Sequence, residues 1–141
     1  MTTTADHTAR LRRQETAGVT ADDRMTIAEV AERSGVTAHT LRYYERVGLI
    51  SVGRDESGYR VYTGADFGRI VFLTRLRMTG MPIRDLQRYV RLVEGGEHTV
   101  PERLALLEEH RDAVRARIEE LAVALDTVER KIATYGGACA G

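Results

Sequence analysis

From Val100 to Tyr135 the apolar residues return every three and a half positions. They fall at Val100, Leu104, Leu107, Val114, Ile118, Leu121, Leu125, Val128, Ile132 and Tyr135, in steps of 4, 3, 7 and then alternating 4 and 3. The step of 7 passes over Arg111, the one polar position in the seam. A repeat of this period held over five heptads keeps a narrow stripe on one side of a helix and predicts a coiled coil. Thr99 with Glu102 fits a capping box at its start, Pro101 suits the first turn, and Gly136-Gly137 is expected to end it. The helix, over 99–135, would be roughly 54 Å long at 1.5 Å per residue. A stripe that long cannot be covered by the small remainder of the chain. It needs a partner helix, most simply the same helix from a second copy. The expected dimerisation contacts are Leu104, Leu107, Val114, Ile118, Leu121, Leu125, Val128 and Ile132.

The segment before the repeat has a different grammar. Thr26 and Glu29 fit a capping box ahead of an apolar face made by Ile27, Val30 and Ala31. Ser34-Gly35-Val36 supplies a tight turn. Thr37 can cap a second helix whose Leu41 and Tyr44 turn partly inward, and Gly48 ends it. Two short helices at this spacing predict a helix-turn-helix. Leu49 to Tyr62 then reads as two short strands around Arg54-Asp55-Glu56-Ser57-Gly58, a basic hairpin that can serve as a wing. Thr63 and Asp66 repeat the capping signal before a helix to about Thr79. Pro82 opens another that closes at Gly95-Gly96. The expected organisation is therefore a flexible tail over 1–24, a winged helix-turn-helix domain with an extra helix pair over 25–95, a dimerisation helix over 99–135 and a flexible tail over 136–141. The fold class is mainly α.

The charge distribution agrees with a nucleic-acid reader. The whole chain is neutral, yet residues 25–95 hold 11 arginines against 8 acids while residues 96–141 hold 6 basic against 9 acidic residues. Positive charge thus accompanies the helix-turn-helix. The outer face of its second helix presents Thr37, His39, Thr40, Arg42 and Tyr43. Residues at a recognition helix's N-terminal end reach base edges in a major groove, and a tyrosine hydroxyl suits a phosphate. On the hairpin, Arg54, Arg60 and Tyr62 are the expected phosphate contacts.

Other chemistries find little support. There is no phosphate-binding glycine loop, nucleophile elbow or HExxH, so an enzyme is not expected. Cys139 is the only cysteine, which excludes an intrachain disulfide and a zinc finger. It is read as a bystander, and His98 and His110 as surface or interface residues. Leu11, Arg12 and Arg13 are assigned to the tail. No apolar run is long enough to span a membrane, and no signal peptide is evident. Neither a membrane partner, a metal nor a cofactor is expected, and the expected compartment is the cytoplasm.

The run MTIAEVAERSGVTAHTLRYYERVGLI, followed by RDESGYRVY, resembles the MerR family of bacterial transcription regulators. The resemblance extends more loosely through the long helix. It implies homodimers joined by an antiparallel coiled coil, with heads that bind near-palindromic promoter DNA. It also implies that distortion of this DNA aligns the promoter elements for RNA polymerase, and that a small-molecule effector can bias the balance of states. Carried onto this chain, Arg42, Tyr43 and Arg60 are the DNA contacts the resemblance supports most strongly. Metal-sensing members carry a cysteine near the start of the long helix, where His98 to Arg103 has none. The segments GMPIRDLQRYV and LLEEHR resemble the small, non-metal subgroup that includes aldehyde-responsive regulators. Members of that subgroup often carry a cysteine in the helix after the wing, where this chain has Asp66, Phe67 and Gly68. A DNA-bending architectural or excisionase-like protein without effector sensing is the alternative.

Overall fold

The computed structural model describes residues 18–140, with side chains described to Gly137. Leu11, Arg12 and Arg13, assigned to the tail, lie outside the described residues, as does the side chain of Cys139. The chain divides into two units, one up to Arg91 and one from Leu92 onward.

In the first unit, strand β1 (Arg24–Met25) leads into helix α1 (Ile27–Ser34) and helix α2 (Ala38–Arg46). Strands β2 (Gly53–Arg54) and β3 (Arg60–Thr63) follow, then helix α3 (Gly64–Met78) and helix α4 (Ile83–Gly95). The sheet order is β1-β3-β2, antiparallel throughout, with Met25 opposite Tyr62 and Arg54 opposite Arg60. The expected caps are present. The Thr26, Thr37 and Thr63 hydroxyls accept from the backbone N–H groups of Glu29, Thr40 and Asp66. At α3 the Asp66 carboxylate also accepts from the Thr63 N–H at 2.8 Å, completing a capping box. Gly35, at φ 74°, ends α1 in the left-handed region and lets α2 start three residues later.

Folding begins earlier than the sequence indicated. Asp23 accepts from the Thr20 N–H at 2.9 Å and the Thr20 hydroxyl at 3.0 Å, and its carbonyl accepts from the Gly64 N–H at 3.1 Å. The two bonds from Thr20, its backbone N–H first, hold the Asp23 carboxyl below its ordinary value. A Cβ at residue 64 would collide with the Thr20 carbonyl, so glycine is required where this segment crosses the start of α3. The part of the expected tail from Thr20 to Arg24 is therefore folded. Its local bonds carry no apolar periodicity, which hid it from the pattern.

The core gathers Val30, Leu41, Tyr44, Leu49, Tyr62, Ile70, Leu73 and Leu86, all essentially inaccessible to solvent. Burial of this kind contributes roughly 1.5–3 kcal/mol per large side chain. Two polar contacts hold α2 in place. The Tyr44 hydroxyl and the Thr74 hydroxyl lie 3.1 Å apart, and Gln87 Nε2 donates to the Val47 carbonyl at 2.9 Å. Both contacts hold the C-terminal half of α2, one to α3 and one to α4.

The second unit contains a short 3₁₀ turn (Glu97–Thr99) and helix α5 (Val100–Ala140). Its start is built differently from the expected capping box. The Thr99 hydroxyl turns back within hydrogen-bond reach of the Leu92 and Gly96 carbonyls and accepts from Arg103 Nε at 3.0 Å. It therefore closes the end of α4 rather than opening α5. At the far end α5 continues through Gly136-Gly137 to Ala140, so residues 136–140 are helical where a flexible tail was expected. Neither glycine has a positive φ. In a helix interior each costs only about 1 kcal/mol relative to alanine, which weakens a helix without ending it.

The stripe on α5 is open. Leu104, Ile118, Leu121, Leu125, Val128 and Ile132 are each 54–64% exposed, while Leu107 and Val114 are half-buried. No helix among the described residues is long and apolar enough to cross a membrane.

Candidate nucleic-acid interface

Helix α2 buries Leu41 and Tyr44 and so directs the opposite face outward. At 100° per residue His39, Arg42, Tyr43 and Arg46 share that face. His39, Arg42 and Arg46 are exposed and Tyr43 is half-buried. Thr37 is exposed and Thr40 half-buried. Their side chains engage each other at the helix start, with Thr37 Oγ1 donating to Thr40 Oγ1 at 3.0 Å. These two threonines are first of all capping residues. An open groove of about 320 Å³ borders them, lined also by Gly35, Val36, Tyr44, Thr74, Arg77 and Met78.

Two further arginines complete the surface. The Arg46 guanidinium lies 5.6 Å from the Tyr43 ring centre, and Arg77 lies 5.9 Å from the rings of both Tyr43 and Tyr44. Stacking on an aromatic face holds a guanidinium in place while leaving its donors available. The sequence reading omitted both. Arg46 was recoverable, because it sits four residues after Arg42 on the same helical face. Arg77 comes from α3 and reaches Tyr43 only through tertiary packing.

The hairpin carries its cations as expected. Asp55 Oδ1 accepts from the Ser57 and Tyr59 N–H groups, both at 2.9 Å, which shapes the turn. Arg54 is exposed and donates to the Gly58 carbonyl at 3.0 Å. Arg60 is half-buried and donates from Nε to Glu45 Oε2 at 2.7 Å. That bond raises the Arg60 pKa further above its ordinary value.

Tyr62 is a correction. Expected on the wing surface beside Arg60, it is fully buried. It lies on the central strand, paired with Met25 on one side, and β3 packs against both α1 and α3. Period-two alternation places Arg60 and Tyr62 on one face. It does not reveal that helices cover that face at Tyr62 and leave it partly open at Arg60. The Tyr62 hydroxyl finds no hydrogen-bond partner among the described residues, and burial pushes its pKa above the ordinary 10.0. Tyr59, just before β3, is 73% exposed.

The match to known proteins follows this geometry. Residues 25–92 match the family model described as MerR HTH family regulatory protein, and residues 67–133 match the one described as MerR, DNA binding. The chain belongs to the MerR family. An HTH-type transcriptional regulator of Haemophilus influenzae is 40% identical over 111 residues, spanning 78% of this chain and 82% of that protein. Among solved structures, HiNmlR, a MerR family regulator lacking the sensor domain and bound to promoter DNA, superposes with a TM-score of 0.76 at 39% identity. That match covers 80% of this chain and 86% of HiNmlR. A MerR-family regulator from Listeria monocytogenes gives 0.75 at 41% identity, covering 79% and 85% of the two chains. This MerR-family protein is a transcriptional regulator, and its family is one of DNA-binding regulators rather than enzymes.

Arg42 is the best-placed base reader on α2, since it is exposed and takes part in no ion pair among the described residues. Arg42→Ala is expected to cost about 1–3 kcal/mol in discrimination between a specific and a random duplex. Competition binding checks this, and an unchanged specific-to-random ratio would leave Arg42 with no base-reading role.

Proposed function

We propose that the protein binds a near-palindromic promoter site as a homodimer and controls transcription by distorting that DNA. Helix α2 enters the major groove, with Arg42, His39 and Arg46 toward base edges and Tyr43 and Arg77 toward phosphates. Arg54 and Arg60 meet the backbone beside it. Helix α5 pairs with the same helix of a second copy in an antiparallel coiled coil, so that two heads face two half-sites. RNA polymerase at the promoter is the downstream partner, the cytoplasm is the compartment, and a small-molecule effector would act by favouring one dimer geometry.

The observation that carries this reading is the outward face of α2. It groups arginine, histidine and a stacked tyrosine on a helix whose C-terminal half is tied to α3 and α4, beside a basic hairpin. The promoter-bound state of the relative HiNmlR supports a promoter as the target. The exposed stripe on α5 supports the dimer.

Selection of bound sequences from a random duplex pool tests the proposal. A two-fold-symmetric site is the expected product, because the symmetry of a dimer is mirrored in its operator. Strong binding that enriches no sequence would instead favour a DNA-bending architectural role.

A further inference from the structure

The wing contains an arrangement that a hairpin ordinarily avoids. Arg54 and Arg60 stand directly opposite each other across β2 and β3. Like charges in that position repel. The compensating charge comes from outside the sheet. Glu45, on α2, places Oε2 at 2.7 Å from Arg60 Nε and Oε1 at 3.9 Å from an Arg54 terminal nitrogen. The Glu45 side chain is 25% exposed, so the contact is partly shielded from solvent and salt.

We propose that Glu45 is a specificity-determining residue of the DNA-binding surface, an internal counter-ion that holds both wing guanidiniums until a phosphate shares or displaces it. The inference deepens the DNA-binding reading and rests on it. Glu45 divides the arginines of the surface into two sets. Arg42, Arg46 and Arg77 are exposed and pair with no acid among the described residues, whereas Arg54 and Arg60 are paired with Glu45. Sequence-independent binding grows with the number of phosphates a protein can neutralise. Occupying the wing arginines therefore suppresses attachment to arbitrary DNA more than it suppresses binding at an operator. At the operator, base contacts from α2 fix the register, and a phosphate is presented where the carboxylate sits. The same carboxylate aligns the wing with the recognition helix, so one residue couples wing position to wing charge.

The test compares the wild type with Glu45→Gln on the selected site and on a random duplex across a salt series. The substitution keeps the size and removes the charge. On random duplex the slope of log affinity against log salt is expected to steepen by about 1–2, at roughly 0.9 per added phosphate contact. Affinity for random duplex is expected to rise about fivefold at low salt, and the specific-to-random ratio to fall by a similar factor. Adding Arg54→Ala and Arg60→Ala to Glu45→Gln should abolish the extra slope. A purely structural support for the wing would behave differently: Glu45→Gln would weaken binding to every duplex and flatten the slope. That result, or an unchanged slope and ratio beside normal wild-type binding, overturns the inference and leaves the DNA-binding reading standing. A wild type that binds no duplex at any salt overturns both.

Discussion

Glutamate in place of Leu121 is expected to turn the protein into a monomer and to lower its affinity for a two-fold operator by at least about 100-fold. Leu121 lies in the middle of the α5 stripe and is 60% exposed. In the proposed coiled coil the substitution occurs once per chain and therefore twice per dimer. Each carboxylate would be withdrawn from water beside apolar side chains with no counter-charge, at a cost of several kcal/mol per ion. The first unit has its own core, built from residues other than α5, so the head is expected to remain folded. The affinity loss follows from geometry. Two linked heads raise each other's local concentration at adjacent half-sites, and separated heads lose that advantage without losing any single contact. Sedimentation velocity at tens of micromolar and operator titration give the two readouts. An intact dimer would remove Leu121 from the interface. A monomer with undiminished operator affinity would show that one head suffices, contrary to the proposal.

Much of this was legible in the sequence because its signals are local. A threonine three residues before an acid marks a helix start. Thr26 and Thr63 behave accordingly, since capping depends on neighbours in the chain alone. The apolar stripe of α5 was legible because a 3.5-residue period needs only the chain's own spacing. What failed depended on context beyond each local motif. Thr99 carries the same local signal as Thr63, yet its hydroxyl is drawn to the end of the preceding helix. Gly136 and Gly137 read as a stop, although glycine ends a helix only where the backbone turns to positive φ. Arg77 and Glu45 were missed at the interface because their partners lie 34 and 15 positions away, at Tyr43 and Arg60. Arg54, Arg60 and Tyr62 were grouped as wing residues by their place on the hairpin alone. The structure separates them into a held surface pair and a core residue.

That separation predicts opposite outcomes for two substitutions at one position. Tyr62→Ala is expected to cost about 3–5 kcal/mol of folding stability, the usual range for emptying a buried aromatic site. The ring lies on the central strand, and α1 and α3 both pack on that strand. Tyr62→Phe keeps the ring and deletes a hydroxyl that is buried without a partner among the described residues. It is expected to be neutral or to gain up to about 1 kcal/mol, because the desolvation cost of an unpaired polar group disappears. A surface phosphate contact would give the reverse pattern, with both substitutions sparing stability and both weakening DNA binding. The pH dependence sharpens the distinction. Burial raises the Tyr62 pKa above its ordinary 10.0, so the unfolded chain gives up this proton more readily than the folded one. The contribution is fully present below the unfolded pKa and is lost as pH rises through the folded pKa. Wild type is therefore expected to lose stability above about pH 10 more steeply than Tyr62→Phe. Urea unfolding followed by circular dichroism at neutral and alkaline pH measures both effects, and operator titration of Tyr62→Phe supplies the control. A tenfold loss of operator affinity in a stably folded Tyr62→Phe would return Tyr62 to the DNA surface. A mild Tyr62→Ala would show that β3 is not held by this ring. With operator affinity retained in Tyr62→Phe and stability lost in Tyr62→Ala, Tyr62 acts on DNA only by fixing the strand that carries Arg60, and through Arg60 the pairing with Glu45.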